Sequence, residues 1–204
     1  MPRGRTGGAA SGFGKGKLRV SNPRYHTAWW RVFETVVLIA ALAGAAYLRL
    51  HVLLPARIIS QSMVPTLQVD DYVLINRLAY RERLPKPGEI VAFNTLDRQQ
   101  VWVKRAVAGP DDRVELRAGK LYRNGQPVDE SYIVQRRRIS FPPVRVPPDH
   151  IFVLGDNRDN SDDSRYWGPL HRQYVVGKVV WVYWPWERKG RPGTPPIEAN
   201  RGAE

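Results

Sequence analysis

Ser60-Gln61-Ser62-Met63-Val64-Pro65-Thr66-Leu67 stands where the chain changes character. Just before it lies the one segment long enough to cross a bilayer, whose last apolar residue, Leu54, is six residues upstream of Ser60. After it come short β-like runs broken by turn residues. Two hydroxyls two apart, then Met and an X-Pro step, read as a short, constrained polar turn. A serine hydroxyl is a weak nucleophile until a neighbouring base activates it, so the remainder of the chain is read for that base.

Upstream, residues 1–32 carry seven Lys/Arg and no acid, which is over half of the formal +13. The other 25 basic residues face 19 acidic ones, an ordinary mixed surface. The pI near 10.4 would suit nucleic acid or an anionic surface. Its concentration in one tail is read instead as topology and anionic-lipid contact, with no nucleic acid as partner. There are no cysteines, which excludes disulfides, thiolate metal sites and cysteine nucleophiles. Residues 1–28 are too poor in apolar groups to fold alone, so 1–32 is expected to be a flexible cytoplasmic tail. Trp29 and Trp30 suit a bilayer interface. Residues 33–54 are expected to form one transmembrane helix: the apolar core is 36–48, and Glu34, Arg49 and His51 lie near the ends, where long side chains snorkel. About 20 residues are needed to span. Ala43-Gly44-Ala45 resembles a signal-peptide cleavage site, but the basic region before it is long and the apolar run continues past it. The positive-inside rule then puts the N-terminus in the cytoplasm and everything after Leu54 outside the plasma or inner membrane.

Downstream, strand-like runs occupy 72–75, 89–93, 100–107, 114–116, 120–122, 151–154 and 174–183. No helical period or internal repeat interrupts them. Residues 55–186 are read as an all-β domain, and 187–204, rich in Pro, Gly and charge, as a disordered tail. Phe141-Pro142-Pro143 and Pro147-Pro148 fit either a substrate groove or surface loops.

The base for Ser62 must be His, Asp/Glu or Lys. His26 and His51 fall in the tail and the apolar segment, while His150 and His171 stand alone at loop-like positions. Lys104 lies inside Val101-Trp102-Val103-Lys104-Arg105-Ala106-Val107. Alternation puts Trp102, Lys104, Ala106 and Ala108 on one face. An ammonium among such neighbours is desolvated and its pKa falls; a drop of two to three units from about 10.4 leaves a neutral amine near pH 8. On composition alone an edge-strand lysine with its head in water is the favoured reading. Finally, Gly155-Asp156-Asn157-Arg158-Asp159-Asn160-Ser161-Asp162-Asp163-Ser164-Arg165-Tyr166-Trp167-Gly168 is dense in hard oxygen donors, but lacks the central Gly and closing Glu of an EF-hand loop. A hydrogen-bonded loop is the other reading.

In this order the three segments resemble the type I signal peptidases, membrane-bound Ser/Lys proteases. Residues 60–67 resemble the family's nucleophile box, P-S-G-S-M-x-P-T-L; 104–112 the lysine box, K-R-x-x-G-x-P-G-D; and 155–168 the third box, G-D-N-R-D-N-S-x-D-S-R-x-W-G, at every specified position. The resemblance spans about 33–184 and implies an all-β catalytic domain of coiled antiparallel sheets behind one transmembrane helix. It implies removal of signal peptides from exported preproteins, by a single copy at a bilayer, without cofactor or metal. Carried over, Ser62 is the nucleophile, Lys104 the general base, and Ser161 hydrogen-bonds the amine. The Ser60 hydroxyl and the Ser62 N–H form the oxyanion hole, and Asp163 and Arg165 brace the third loop. Ile58, Met63, Leu67 and Val103 are expected to line shallow substrate pockets. Ile59, Gln61, Ala108 and Asp111 depart from the family's Pro, Gly, Gly and Gly, which puts local turn geometry in question. Two other readings are a self-cleaving Ser/Lys repressor, which needs an N-terminal helix-turn-helix, and a catalytically dead anchored β domain.

Overall fold

The computed structural model describes residues 24–95, 99–133 and 138–193. Most of the basic tail and the chain end after 193 lie outside the described residues. The chain divides into two compact units, 1–44 and 45–204.

Helix α1 is Arg24–Tyr47. Within it Trp29–Tyr47, 19 residues of mean hydropathy 1.4, is long and apolar enough to cross a membrane, and none of it is buried. At 1.5 Å per residue this stretch is about 28 Å long, close to the hydrocarbon thickness. Val36, Leu38, Ile39 and Leu42 are all exposed, the pattern of a helix whose solvent is lipid. The helix differs from the expected 33–54: it begins earlier and ends at Tyr47, and residues 48–52 make a single wide turn. Leu53 and Leu54 already belong to strand β1, Leu53–Arg57. Pro55 explains the early stop, because it cannot donate to a helix and pushes the residue before it into extended conformation.

Ten further strands follow: β2 Tyr72–Asn76, β3 Ile90–Asn94, β4 Val101–Ala108, β5 Arg113–Arg117, β6 Lys120–Arg123, β7 Gln126–Pro127, β8 Phe141–Arg145, β9 His150–Leu154, β10 Leu170–His171 and β11 Val175–Trp184. A four-residue helix, α2, spans Ser164–Trp167. The strands form a seven-stranded sheet, ordered β1-β2-β11-β3-β4-β9-β10, and a four-stranded sheet, ordered β7-β6-β5-β8. Every pairing is antiparallel. All seven runs expected as strands are strands. Four strands were not expected: the two-residue β7 and β10, β1, hidden by the apolar segment before it, and β8, hidden by its two prolines. Proline is tolerated in β8 because this is an edge strand, bonded only to β5.

The centre of the large sheet is covered on both faces. In β3, Ile90 and Ala92 enter a core with Ile58, Met63, Leu67, Val73 and Ile75, while Val91 and Phe93 enter another with Ala106, Ile151, Val153 and Leu170. In β9, Phe152 and Leu154 pack with Val114, Leu116 and Leu121 between the sheets. Strands buried on both faces read as unbroken apolar runs, as Ile90-Val91-Ala92-Phe93 and Ile151-Phe152-Val153-Leu154 do.

Residues 187–193, at the start of the expected disordered tail, are folded onto this sheet. Arg188 donates to Asp71 with Nε at 2.8 Å and Nη2 at 3.0 Å, and Gly190 exchanges backbone hydrogen bonds with Val182. Below the site, Arg158 forks onto Glu130, and both side chains are at least 96% removed from water, with relative exposures of 4% and 0%. Removing one partner of such a pair strands a buried charge, at a cost of about 3–5 kcal/mol. Glu130→Ala is therefore expected to lower the melting temperature of the detergent-solubilised protein sharply; an unchanged melt would show that the pair contributes nothing.

Candidate active site

The 60–67 turn is fixed by its own hydrophobes. Leu67 N–H donates to Met63 O at 3.0 Å, closing one helical turn. That turn sets Met63 and Leu67 on the same side, where both are buried against Val73 and Ile75. Ile58 N–H donates to Asp71 O at 2.8 Å, and Asp70 N–H to Ile58 O at 2.9 Å, tying the turn's root to the start of β2. The hydroxyls are left on the opposite side. Ser60 Oγ lies 3.2 Å from Ser62 Oγ. Gln61 and Ile59 do not disturb the turn: neither has positive φ, so glycine is not required at 61, and Ile59 points into solvent, 79% exposed. Asp111 is the departure that does occupy a left-handed position, at φ 66°. Asp tolerates that region better than most residues, and its N–H donates to Val146 O at 2.9 Å.

Lys104 comes from β4, opposite Val91 of β3. Its Nζ donates to Ser62 Oγ at 2.7 Å and lies 5.6 Å from the centre of the Trp102 ring. Lys104 is 4% exposed and Ser62 6%, which settles the choice between a buried amine and an edge lysine in favour of burial. Burial brings the amine down from 10.5 to about 8; Asp163, Asp162 and Asp156 pull it back up, and Arg165 opposes them.

The 155–168 loop clamps the turn from above. Asn157 donates its backbone N–H to Ser62 O at 3.0 Å and its side-chain amide to Gln61 O at 3.2 Å. Gly155 sits so close that a Cβ there would lie 2.6 Å from Ser62 O and would collide with the Ser161 side chain. Asp163 accepts from Gly155 N–H at 3.1 Å and receives both Nε and Nη2 of Arg165, at 2.7 and 2.9 Å. It also caps α2 by accepting from Arg165 N–H at 3.2 Å. The bracing expected of Asp163 and Arg165 is thus present as a forked ion pair. The hydrogen bond expected from Ser161 to the lysine is absent: Ser161 Oγ is buried and has no hydrogen-bond partner.

Three groups with no role in the sequence reading hold the boxes together. Arg105, next to Lys104, forks onto Asp156 at 2.8 and 2.6 Å, reaches Thr66 Oγ1 at 3.3 Å and Gly88 O at 2.9 Å, and stacks over Tyr132 at 3.9 Å. Asn157 and Asp156 lay in the third box unassigned. The signal available was that each box carries one uncommitted polar residue of complementary chemistry.

A cleft of about 610 Å³ opens over the pair. Ile58, Met63 and Val103 line it, as expected, together with Trp102 and Gln100. Leu67 does not: it is fully buried in the core and absent from the lining. Its spacing of four from Met63 puts it one turn deeper, where it anchors the turn. The other candidate bases are elsewhere. His150 and His171 face each other across β9 and β10, with ring centres 4.9 Å apart, and His51 packs on Tyr47.

The family model of signal peptidase, peptidase S26, matches residues 29–184. A probable signal peptidase I-1 of Synechocystis sp. is 37% identical over 175 residues, covering 81% of this chain and 89% of that protein. A signal peptidase I of Leptolyngbya laminosa is 37% identical over 145 residues, 67% of this chain and 71% of the relative. One from Bacillus caldolyticus is 32% identical over 173 residues, 78% and 91% of the two chains. With a family match over residues 29–184 and relatives of 32–37% identity covered over 71–91% of their length, the chain belongs to the signal peptidase, peptidase S26, family.

Proposed function

We propose that this protein is a membrane-anchored serine endopeptidase that removes N-terminal signal peptides from preproteins with a Ser62/Lys104 dyad. The observation that carries the reading is the 2.7 Å contact between a desolvated amine and a serine hydroxyl at the floor of an open cleft. The neutral amine takes the Ser62 proton along that contact while Oγ attacks the scissile carbonyl. The Ser60 hydroxyl and the Ser62 N–H receive the oxyanion, and each such donor is typically worth about 2.7–4 kcal/mol. The Lys104 ammonium then returns the proton to the leaving amine; neutral again, it takes a proton from a water that attacks the acyl-Ser62 ester and gives it to Ser62 Oγ as the acyl group leaves. Ser161 Oγ, buried without a partner beside Gly155, is the acceptor we assign to the charged lysine. Ile58, Met63 and Val103 leave room for small side chains before the cut.

Helix α1 anchors the catalytic unit, with the N-terminus cytoplasmic and residues after 54 outside, as the acid-free basic flank favours. That α1 is one continuous 24-residue helix leaves the DNA-binding repressor reading without its helix-turn-helix among the described residues. All groups of the site come from one chain, consistent with a working monomer.

Ser62→Ala and Lys104→Ala are each expected to abolish processing of a secreted precursor by the detergent-solubilised protein while each variant still folds and melts cooperatively; normal cleavage by either variant would remove the dyad. Activity should rise with pH through about 8 and level off above it, since the amine must be neutral. The same depression has a stability consequence. Between about 8 and 10.5 the unfolded chain binds more protons than the folded one, so burial costs about 3 kcal/mol below that window and nothing above it. Lys104→Met should therefore be more stable than the parent at pH 7, with the difference closing towards pH 10.5. Gly155→Ala is expected to keep the fold but displace the Ser62 turn, lowering kcat by about 100-fold; full activity would show that the close approach is dispensable.

A further inference from the structure

A second cavity, of about 360 Å³, opens beside the cleft. The two share Gln100, Trp102 and Asp162, and the second is closed by Phe93, Trp167 and Leu170. The cleft meets both faces of β4, through Val103 on one and Trp102 on the other, whereas the second cavity meets β4 only on the Trp102 face. Val103 packs on the core that holds Ile58 and Met63, whereas Trp102 packs on the core that holds Phe93 and Leu170. The second cavity is an aromatic box, with the Phe93 ring 6.5 Å from Trp102 and 5.9 Å from Trp167. Asp162 is exposed at its mouth.

β4 also presents an edge. It pairs with β3 through residues 101–105 and with β9 only from Arg105 onward, so the other edge of 101–104 has no strand partner among the described strands. An extended peptide bound along such an edge turns successive side chains to opposite faces. Lys104 and Ser62 mark the scissile bond within the cleft, and the second cavity adjoins that cleft at Gln100 and Trp102, away from Ser62 and Lys104. A peptide laid with its residues before the cut on that side would put the side chain next to the cut on the Val103 face and turn its neighbour to the Trp102 face.

We propose that the Phe93–Trp102–Trp167 cavity is a subsite for the second residue before the cut, accepting a long side chain with an apolar stem and a neutral or cationic tip. This rests on the Ser/Lys peptidase reading above. Aromatic walls reward an apolar stem, and their faces attract a cation. Asp162 adds to that attraction and repels an acidic tip. The residue between the two small ones of a small-x-small junction is then read rather than ignored.

The test uses the full-length protein in detergent and peptides spanning a precursor junction, with Ala at the first and third positions before the cut and Ala, Leu, Lys or Glu at the second. Leu and Lys should be cleaved with kcat/KM at least about tenfold above Ala, the scale of pocket discrimination, and Glu should fall below Ala. Asp162→Asn should collapse the Lys-to-Glu ratio and leave the Leu-to-Ala ratio; Trp102→Leu should reduce the Leu-to-Ala ratio. Equal cleavage of all four peptides overturns the proposal, as does a Lys-to-Glu ratio untouched by Asp162→Asn. The same discrimination appearing for residues after the cut would place the cavity on the wrong side and also overturn it. If no peptide is cleaved, the peptidase reading itself falls.

Discussion

A lysine amine held out of water at 2.7 Å from a serine hydroxyl is the constraint that the rest of the site answers to. Desolvation favours the neutral amine only while nearby negative charge is contained, yet the loop above Lys104 carries Asp156, Asp162 and Asp163. Two of these are bound by arginines in forked geometry: Asp156 by Arg105 and Asp163 by Arg165. Arg165 offsets part of this pull on the lysine, and burial prevails. The arginine pairs serve the lysine's protonation state as much as the loop's rigidity.

The second requirement is closeness. Three segments separated by about 40 and 50 residues must meet with sub-ångström tolerance. Gly155 lets the third loop approach until a Cβ there would lie 2.6 Å from Ser62 O, and Asn157 fixes the Gln61 and Ser62 carbonyls. From below, Met63 and Leu67 pin the turn into the core. Ser62 is thus held by backbone on one side and hydrophobes on the other, and its hydroxyl is left free to meet the amine.

Much of this was legible in the sequence because each catalytic group sits in a short, distinctive local pattern. The strands announced themselves through apolar runs bounded by Gly, Pro and Asp, and Lys104 through its place in such a run. What was not legible depended on partners far away in sequence. Leu67 reads as a pocket residue until the turn shows it pointing into the core. Ser161 lies behind Gly155 with its hydroxyl unpartnered, a placement that no local pattern gives away. β1 vanished into the apolar segment because hydropathy does not distinguish the end of a helix from a following strand; only Pro55 hinted at the boundary. Glu130, which meets Arg158 across 28 residues, had no local signature at all, since a buried acid looks like a surface acid until its partner is located.

β4 shows why these demands converge on one element. Its C-terminal half, from Arg105, pairs with β9 and supplies core alanines, and Ala106 exchanges backbone hydrogen bonds with Gly88 and Glu89 just ahead of β3. Its N-terminal half keeps β3 on one side and leaves the other edge open over the cleft. Lys104 is the last residue before that change of partner. It is therefore buried enough to lose its proton and near enough to an open edge to reach a bound peptide. One residue earlier, the lysine would point to the opposite face of the strand; one later, it would occupy the place of Arg105 in the ion-pair network. The position of the base is set by where a strand exchanges neighbours, and that exchange also creates the edge on which a substrate strand can lie.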